Sequence, residues 1–116
     1  MGARRLSLAQ EGVIQMYMVQ VLYHPADPAT LEAEYPAHVA RAKPLVDAAL
    51  HVYAGPFAGT VGNKAVTRGV VFLFESKEAF DKAASSPAGS AVIEDAARIA
   101  GPDGLSLCVG EINIAV

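Results

Sequence analysis

The chain has 116 residues, 53% of them apolar and 18% charged, with a net charge of −3 and a pI near 5.5. That length fits one domain, and a mild acidic balance with no basic patch argues against a nucleic-acid partner. The single cysteine, Cys108, cannot form an internal disulfide, and no apolar stretch reaches the ~20 residues that span a bilayer, so a reducing, cytoplasmic setting is expected.

Residues 1–15 lack periodicity and read as an N-terminal arm ahead of a domain at 16–116. Arg4-Arg5 resembles the start of an export signal, but Gln10, Glu11 and Gln15 break the segment that follows, so none is expected. Met16–Tyr23 is the first predicted strand, with Tyr17, Val19, Val21 and Tyr23 alternating with Met18, Gln20 and Leu22. Asp27 can cap a helix that has Pro28 at its favoured first position. That helix is predicted over Pro28–Asp47, where Leu31, Tyr35, His38, Ala42 and Leu45 step by four and three onto one face. Pro36 and Pro44 each remove a donor, so a break is expected near Tyr35 or before Pro44.

Leu50–Pro56 is the second predicted strand. Pro56 cannot donate to a ladder and therefore marks a sheet edge. Ala58–Lys64 reads as a loop, and Ala65–Glu75 as a third strand whose run Val70–Phe74 is apolar on both faces. Ser76 can cap the next helix, which carries Ala79, Phe80 and Ala83. Ser85, Ser86, Pro87 and Gly89 interrupt it before a further helical segment with Val92, Ile93, Ala96 and Ala97. Gly101–Gly104 is a turn, and Leu105–Val116 the last strand. Its apolar phase switches from Leu105, Leu107 and Val109 to Ile112, Ile114 and Val116, which predicts a bulge at Gly110.

The order β-α-β-β-α-β is the split βαβ arrangement, so the fold class is α+β, ferredoxin-like, with a four-stranded antiparallel sheet. Strands one and three fall in the centre. Two helices cover only one face of that sheet, yet Met18, Leu22, Val71 and Leu73 make the other face apolar as well. At ~25 cal/mol per Å² of apolar surface, leaving it wet forgoes several kcal/mol. A second copy related by a two-fold axis covers it at least cost, which predicts a homodimer through the open sheet face, a dimeric α/β barrel, with an apolar cavity between the sheets.

One stretch carries a family pattern. A strand ending Val21-Leu22-Tyr23 precedes Pro25 and Asp27-Pro28, and the helix then carries Leu31, Tyr35 and His38 in the register Leu-x3-Tyr-x2-His. With the later Phe80, Ser86-Pro87 and Asp95, the chain over 16–116 resembles the EthD family of the dimeric α/β-barrel superfamily, departing from its habit at Pro36. The resemblance implies a ferredoxin-like fold and a dimer. It also implies a setting: the family is named for an ethyl tert-butyl ether degradation cluster, fungal polyketide relatives act as dehydratase-like tailoring enzymes, and neighbouring families include cofactor-free quinone-forming monooxygenases.

Tyr35 and His38 are neighbours on one helical turn, and a histidine beside a phenol facing a dry pocket can move a proton. Equally, the pair can close the core and bond to backbone. His51 and Tyr53 share a strand face opposite to Val52 and, with Tyr23 and Arg68, are candidate ligand contacts. Arg68 is otherwise a solvent-facing strand end, and His24 is expected in solvent. Cys108 is expected to be a buried, inert thiol. His24, His38, His51 and Cys108 show no metal-ligand spacing, and Gly59–Lys64 leads into a strand, so neither a metal nor a phosphate loop nor any other cofactor is expected. Three functions follow: a cofactor-independent enzyme performing proton transfer, dehydration or oxygenation on small hydrophobic molecules; a non-catalytic small-molecule-binding accessory protein of a degradation pathway; or a structural dimer with a filled barrel.

Overall fold

The structure, a computed structural model, describes residues 13–115. In chain order the elements are β1 (Val13–Tyr23), α1 (Pro28–Arg41), α2 (Lys43–Ala48), β2 (His51–Val61), β3 (Lys64–Phe74), α3 (Lys77–Ser85), α4 (Pro87–Ala100) and β4 (Leu105–Ala115). The strands form one antiparallel sheet in the order β2-β3-β1-β4, the ferredoxin-like α+β architecture. The arm expected over 1–15 lies outside the described residues except for Val13–Gln15, which extend β1 and pair with Asn113–Ala115.

Local chemistry sets the helix ends. Asp27 accepts from the Thr30 amide ahead of Pro28, capping α1. The break expected in the long helix falls at Ala42, just before Lys43-Pro44, whereas Pro36 is carried inside α1. Ser76 caps α3. Ser86 joins α3 to α4, donating to the Ala83 carbonyl while accepting from the Gly89 amide. Gly89 is required there, because a Cβ would run into the Ala83 carbonyl oxygen.

All helices pack on one sheet face. Tyr17, Val19 and Tyr23 of β1 and Val70, Phe72 and Phe74 of β3 meet Leu31, Tyr35, Leu45, Val92, Ala96 and Ile99, all buried. The opposite face carries Met18, Leu22, Val71 and Leu73. No element of the chain covers it among the described residues, and Tyr53 there is 58% exposed.

Four expectations are corrected. β2 does not end at Pro56 but continues to Val61, and the hairpin to β3 turns on Gly62-Asn63 alone, with Gly62 at φ 61°. An edge strand tolerates Pro56, because it pairs on one side only, and the ladder shifts register between Pro56 and Gly59. No bulge occurs at Gly110, since β4 pairs with β1 in one unbroken register from Leu105 to Ala115. The apolar phase switches because helix-face positions past Val109 are exposed and polar, Glu111 and Asn113, while Ile112 and Ile114 turn to the other face.

The third correction is His24, which is buried. Its amide donates to Gly104 and its Nε2 lies 2.7 Å from Ser106 Oγ, because the chain after β1 runs into the Gly101–Gly104 turn. The fourth is Cys108, which is exposed, since β4 is an edge strand and Cys108 points to the uncovered face. Among the described residues no helix is long and apolar enough to cross a membrane.

Candidate functional site

The predicted stripe of α1 faces the sheet, and it brings Tyr35 and His38 against Tyr23 at the end of β1. The Tyr23 and Tyr35 rings meet edge-on with centroids 5.9 Å apart, and the His38 ring lies 6.1 Å from that of Tyr35. Behind His38 stands Asp95 of α4. A chain of hydrogen bonds links sheet and both helices: the Tyr23 hydroxyl to His38 Nε2 at 3.2 Å, and His38 Nδ1 to Asp95 Oδ2 at 2.8 Å.

Charge fixes the direction of the bond to Asp95. Burial opposes ionisation of Asp95, but hydrogen bonds from His38 and Arg98 and the charges of Arg41 and Arg98 outweigh it and lower the carboxyl to about 2. An ionised carboxylate only accepts, so His38 carries its proton on Nδ1 and donates to Asp95. Burial, with Tyr35 and Asp95 acting the same way, raises the Tyr23 phenol far above its ordinary value. Tyr23 therefore keeps its proton, and against the His38 tautomer that carries hydrogen on Nδ1 alone its hydroxyl is the donor to Nε2. The result is a directed relay, Tyr23 to His38 to Asp95, with His38 only 5% exposed.

Tyr35 is held from the other side. Arg68 lies 4.3 Å above the centroid of its ring and forms a two-pronged ion pair with Glu32 at 2.7 and 2.8 Å. Arg68 is thus neither a free anion site nor an unpaired strand end. Burial raises the Tyr35 phenol and the Arg68 charge opposes that rise.

Tyr23 and His38, with Tyr35, line a cavity of about 180 Å³ between the helices and the sheet, and Asp95 stands behind them outside its lining. Tyr23, Tyr35 and His38 are its polar-tipped members. The rest of the lining is apolar, including Val52, Val70, Phe72 and Val92, and Val39, Val46 and Ile93 reach the protein surface. This cavity is on the helix side of a single chain, whereas the sequence led us to expect one between two sheets. His51 and Tyr53 do share a face opposite to Val52, with rings stacked 6.3 Å apart, but it is the open face, away from the relay. The candidate residues therefore divide: Tyr23, Tyr35 and His38 come together with Arg68 behind Tyr35, and His51 and Tyr53 stand apart.

Asp95 is the member of this candidate site that was not expected from the sequence. It lies three after Val92 and four before Ile99, both buried, so an acid on the inward stripe of α4 was the available signal. Among the described residues no group of three His, Cys, Asp or Glu side chains is placed to hold a metal.

No protein-family model matches the chain, and no curated protein does. Solved structures share its fold. An EthD family protein from Bacillus halodurans superimposes with a TM-score of 0.68 at 20% identity, over 82% of this chain and 96% of that one. A dimeric ferredoxin-like protein of unknown function from Jannaschia gives 0.63 at 19% identity, over 84% and 99%. SnoaB, a cofactor-independent oxygenase from Streptomyces nogalater, gives 0.50 at 12% identity, over 84% and 90%. At these identities the likeness is one of fold, and the fold is the one that the EthD resemblance implied.

Proposed function

We propose that the chain is a small homodimeric protein that takes an apolar molecule into its helix-side cavity and moves a proton to or from it without a cofactor. The observation that carries this reading is the Tyr23–His38–Asp95 relay, whose Tyr23 and His38 line an otherwise apolar cavity. A phenol that is already donating to an imidazole keeps a lone pair to accept a proton from a bound hydroxyl or acidic C–H group. As that proton reaches the Tyr23 oxygen, the Tyr23 proton passes to His38 Nε2, and the Asp95 carboxylate stabilises the imidazolium so formed. Reversal of the same path returns the proton to a different atom of the ligand. Enolisation, dehydration and the deprotonation that opens cofactor-free oxygenation all need this step, and the fold shared with a cofactor-independent oxygenase is compatible with it.

Dimerisation rests on separate support. The open sheet face is apolar and uncovered by the chain itself, and a structural neighbour is a dimeric ferredoxin-like protein. In such a dimer His51 and Tyr53 would lie at the contact between copies. The single exposed thiol of Cys108 on that face suits a reducing compartment.

Deuterium exchange into β-tetralone, an apolar ketone with acidic C–H groups, tests the proton-transfer role. In heavy water the protein should accelerate exchange above the buffer rate, and His38→Ala should return it to that rate while still folding. Saturable binding of β-tetralone without accelerated exchange would replace this reading with the second one, a non-catalytic small-molecule-binding accessory protein.

A further inference from the structure

The relay cavity has a neighbour on the same face of the sheet. A second cavity of about 70 Å³ lies on the far side of Val21, Leu45, Phe72, Ile93 and Ala96, side chains that line both spaces. Beyond them it is walled by Val19, Phe74, Phe80, Leu105 and Leu107, with no polar side chain in its lining. The first cavity lies over β2, β3 and β1, the second over β3, β1 and β4, so together they cross the sheet from one edge strand to the other. An unfilled apolar space is a cost to a folded chain, because its walls lose packing partners. The side chains around it are also unusually exposed: Val39, Val46 and Ile93 on the helices and Leu107 on β4 are large apolar groups in contact with water, and all four line one or both cavities.

We propose that the ligand is elongated, with a single hydroxyl-bearing ring seated at Tyr23 and His38 and an unbranched apolar tail that passes Ile93 and Ala96 into the second cavity. This rests on the proton-transfer site described above and adds the shape and polarity of what it takes. Polarity is confined to one end: the first cavity has Tyr23, Tyr35 and His38 at its wall, the second has none. A ligand with a second polar group on its tail would bury that group without a partner, which the site penalises. A compact ligand would leave the second cavity empty.

para-Alkylphenols of increasing tail length are the probes, with affinity measured by titration calorimetry. Each methylene that enters apolar walls should tighten binding about fourfold, and the gain should continue past the length at which para-cresol and para-ethylphenol fill the first cavity. Leu107→Trp narrows the second cavity at an exposed position, so folding is not at stake. It should leave para-cresol binding unchanged and remove the gain from longer tails. Because the chain has no tryptophan of its own, emission of this variant also reports the tail directly: a long tail ending in bromine should quench it and a short one should not. Affinity that stops rising after the shortest tails, or that rises equally in Leu107→Trp with no quenching, overturns the elongated-ligand proposal. Loss of the underlying site reading looks different: para-cresol then fails to bind, or binds His38→Ala as well as it binds the unaltered protein.

Discussion

Replacing Asp95 by asparagine removes one charge from the relay and leaves its shape. The amide oxygen still accepts from His38 Nδ1, whereas Arg41 at 3.3 Å and Arg98 at 2.9 Å lose their anion. The carboxyl falls from an ordinary 3.8 to about 2 in the folded chain. At ~1.4 kcal/mol per pH unit, that sets an upper limit of about 2.5 kcal/mol for what ionisation contributes. The Asp95 side chain is 11% exposed, but those of Arg41 and Arg98 are more than half exposed, so water screens their share. The expected loss in Asp95→Asn at neutral pH is therefore about 1–2 kcal/mol.

The sign of the pH dependence follows from the depressed carboxyl. Its stabilisation is complete above about pH 5 and is lost as the pH falls through about 2, below which the carboxyl is protonated in both folded and unfolded chains. Urea unfolding of both proteins at a series of pH values checks this. The stability gap should be constant from neutral pH to about pH 5, narrow below pH 4, and be largely gone by pH 2. A gap of the same size at pH 2 as at neutral pH would refute the argument, because it would mean that the substitution acts through packing and not through charge.

The open sheet face gives a second expectation. Val71→Lys places an ammonium at the centre of the apolar face, and sedimentation should turn a dimer into a single chain with its melting behaviour otherwise intact; an unaltered protein that already sediments as one chain removes the dimer. The α3–α4 junction gives a third. In Gly89→Ala the new Cβ meets backbone, the Ala83 carbonyl oxygen, which cannot swing aside, so chemical denaturation should show a loss of about 1–3 kcal/mol. No loss there would mean that the two helices part freely.

The fold was legible because patterning and punctuation agreed. The stripe Leu31, Tyr35, His38, Ala42 and Leu45 is buried throughout, and Ser86-Pro87 divides α3 from α4 as their cap chemistry implies. Edge strands were read least well. Their residues answer to only one neighbouring strand, so Pro56 inside β2 and the changing apolar side of β4 looked like a strand end and a bulge. His24 and Cys108 were misjudged for a related reason: burial near a sheet rim depends on which turn or helix happens to cover it, and residue type carries no record of that. The site was half legible. Tyr35 and His38 share an element, so spacing brings them together, whereas the pairing of His38 with Asp95 spans 57 positions and exists only after α1 and α4 have docked.

That docking has a consequence of its own. The three members of the relay belong to β1, α1 and α4, and no two of them share an element. A displacement of an ångström or so between any pair of these supports is enough to interrupt conduction along the line. Proton transfer along the proposed relay would thus be a gauge of whether the layers are seated: a chain with its secondary structure intact but its helices loosened would keep every participant and still be silent.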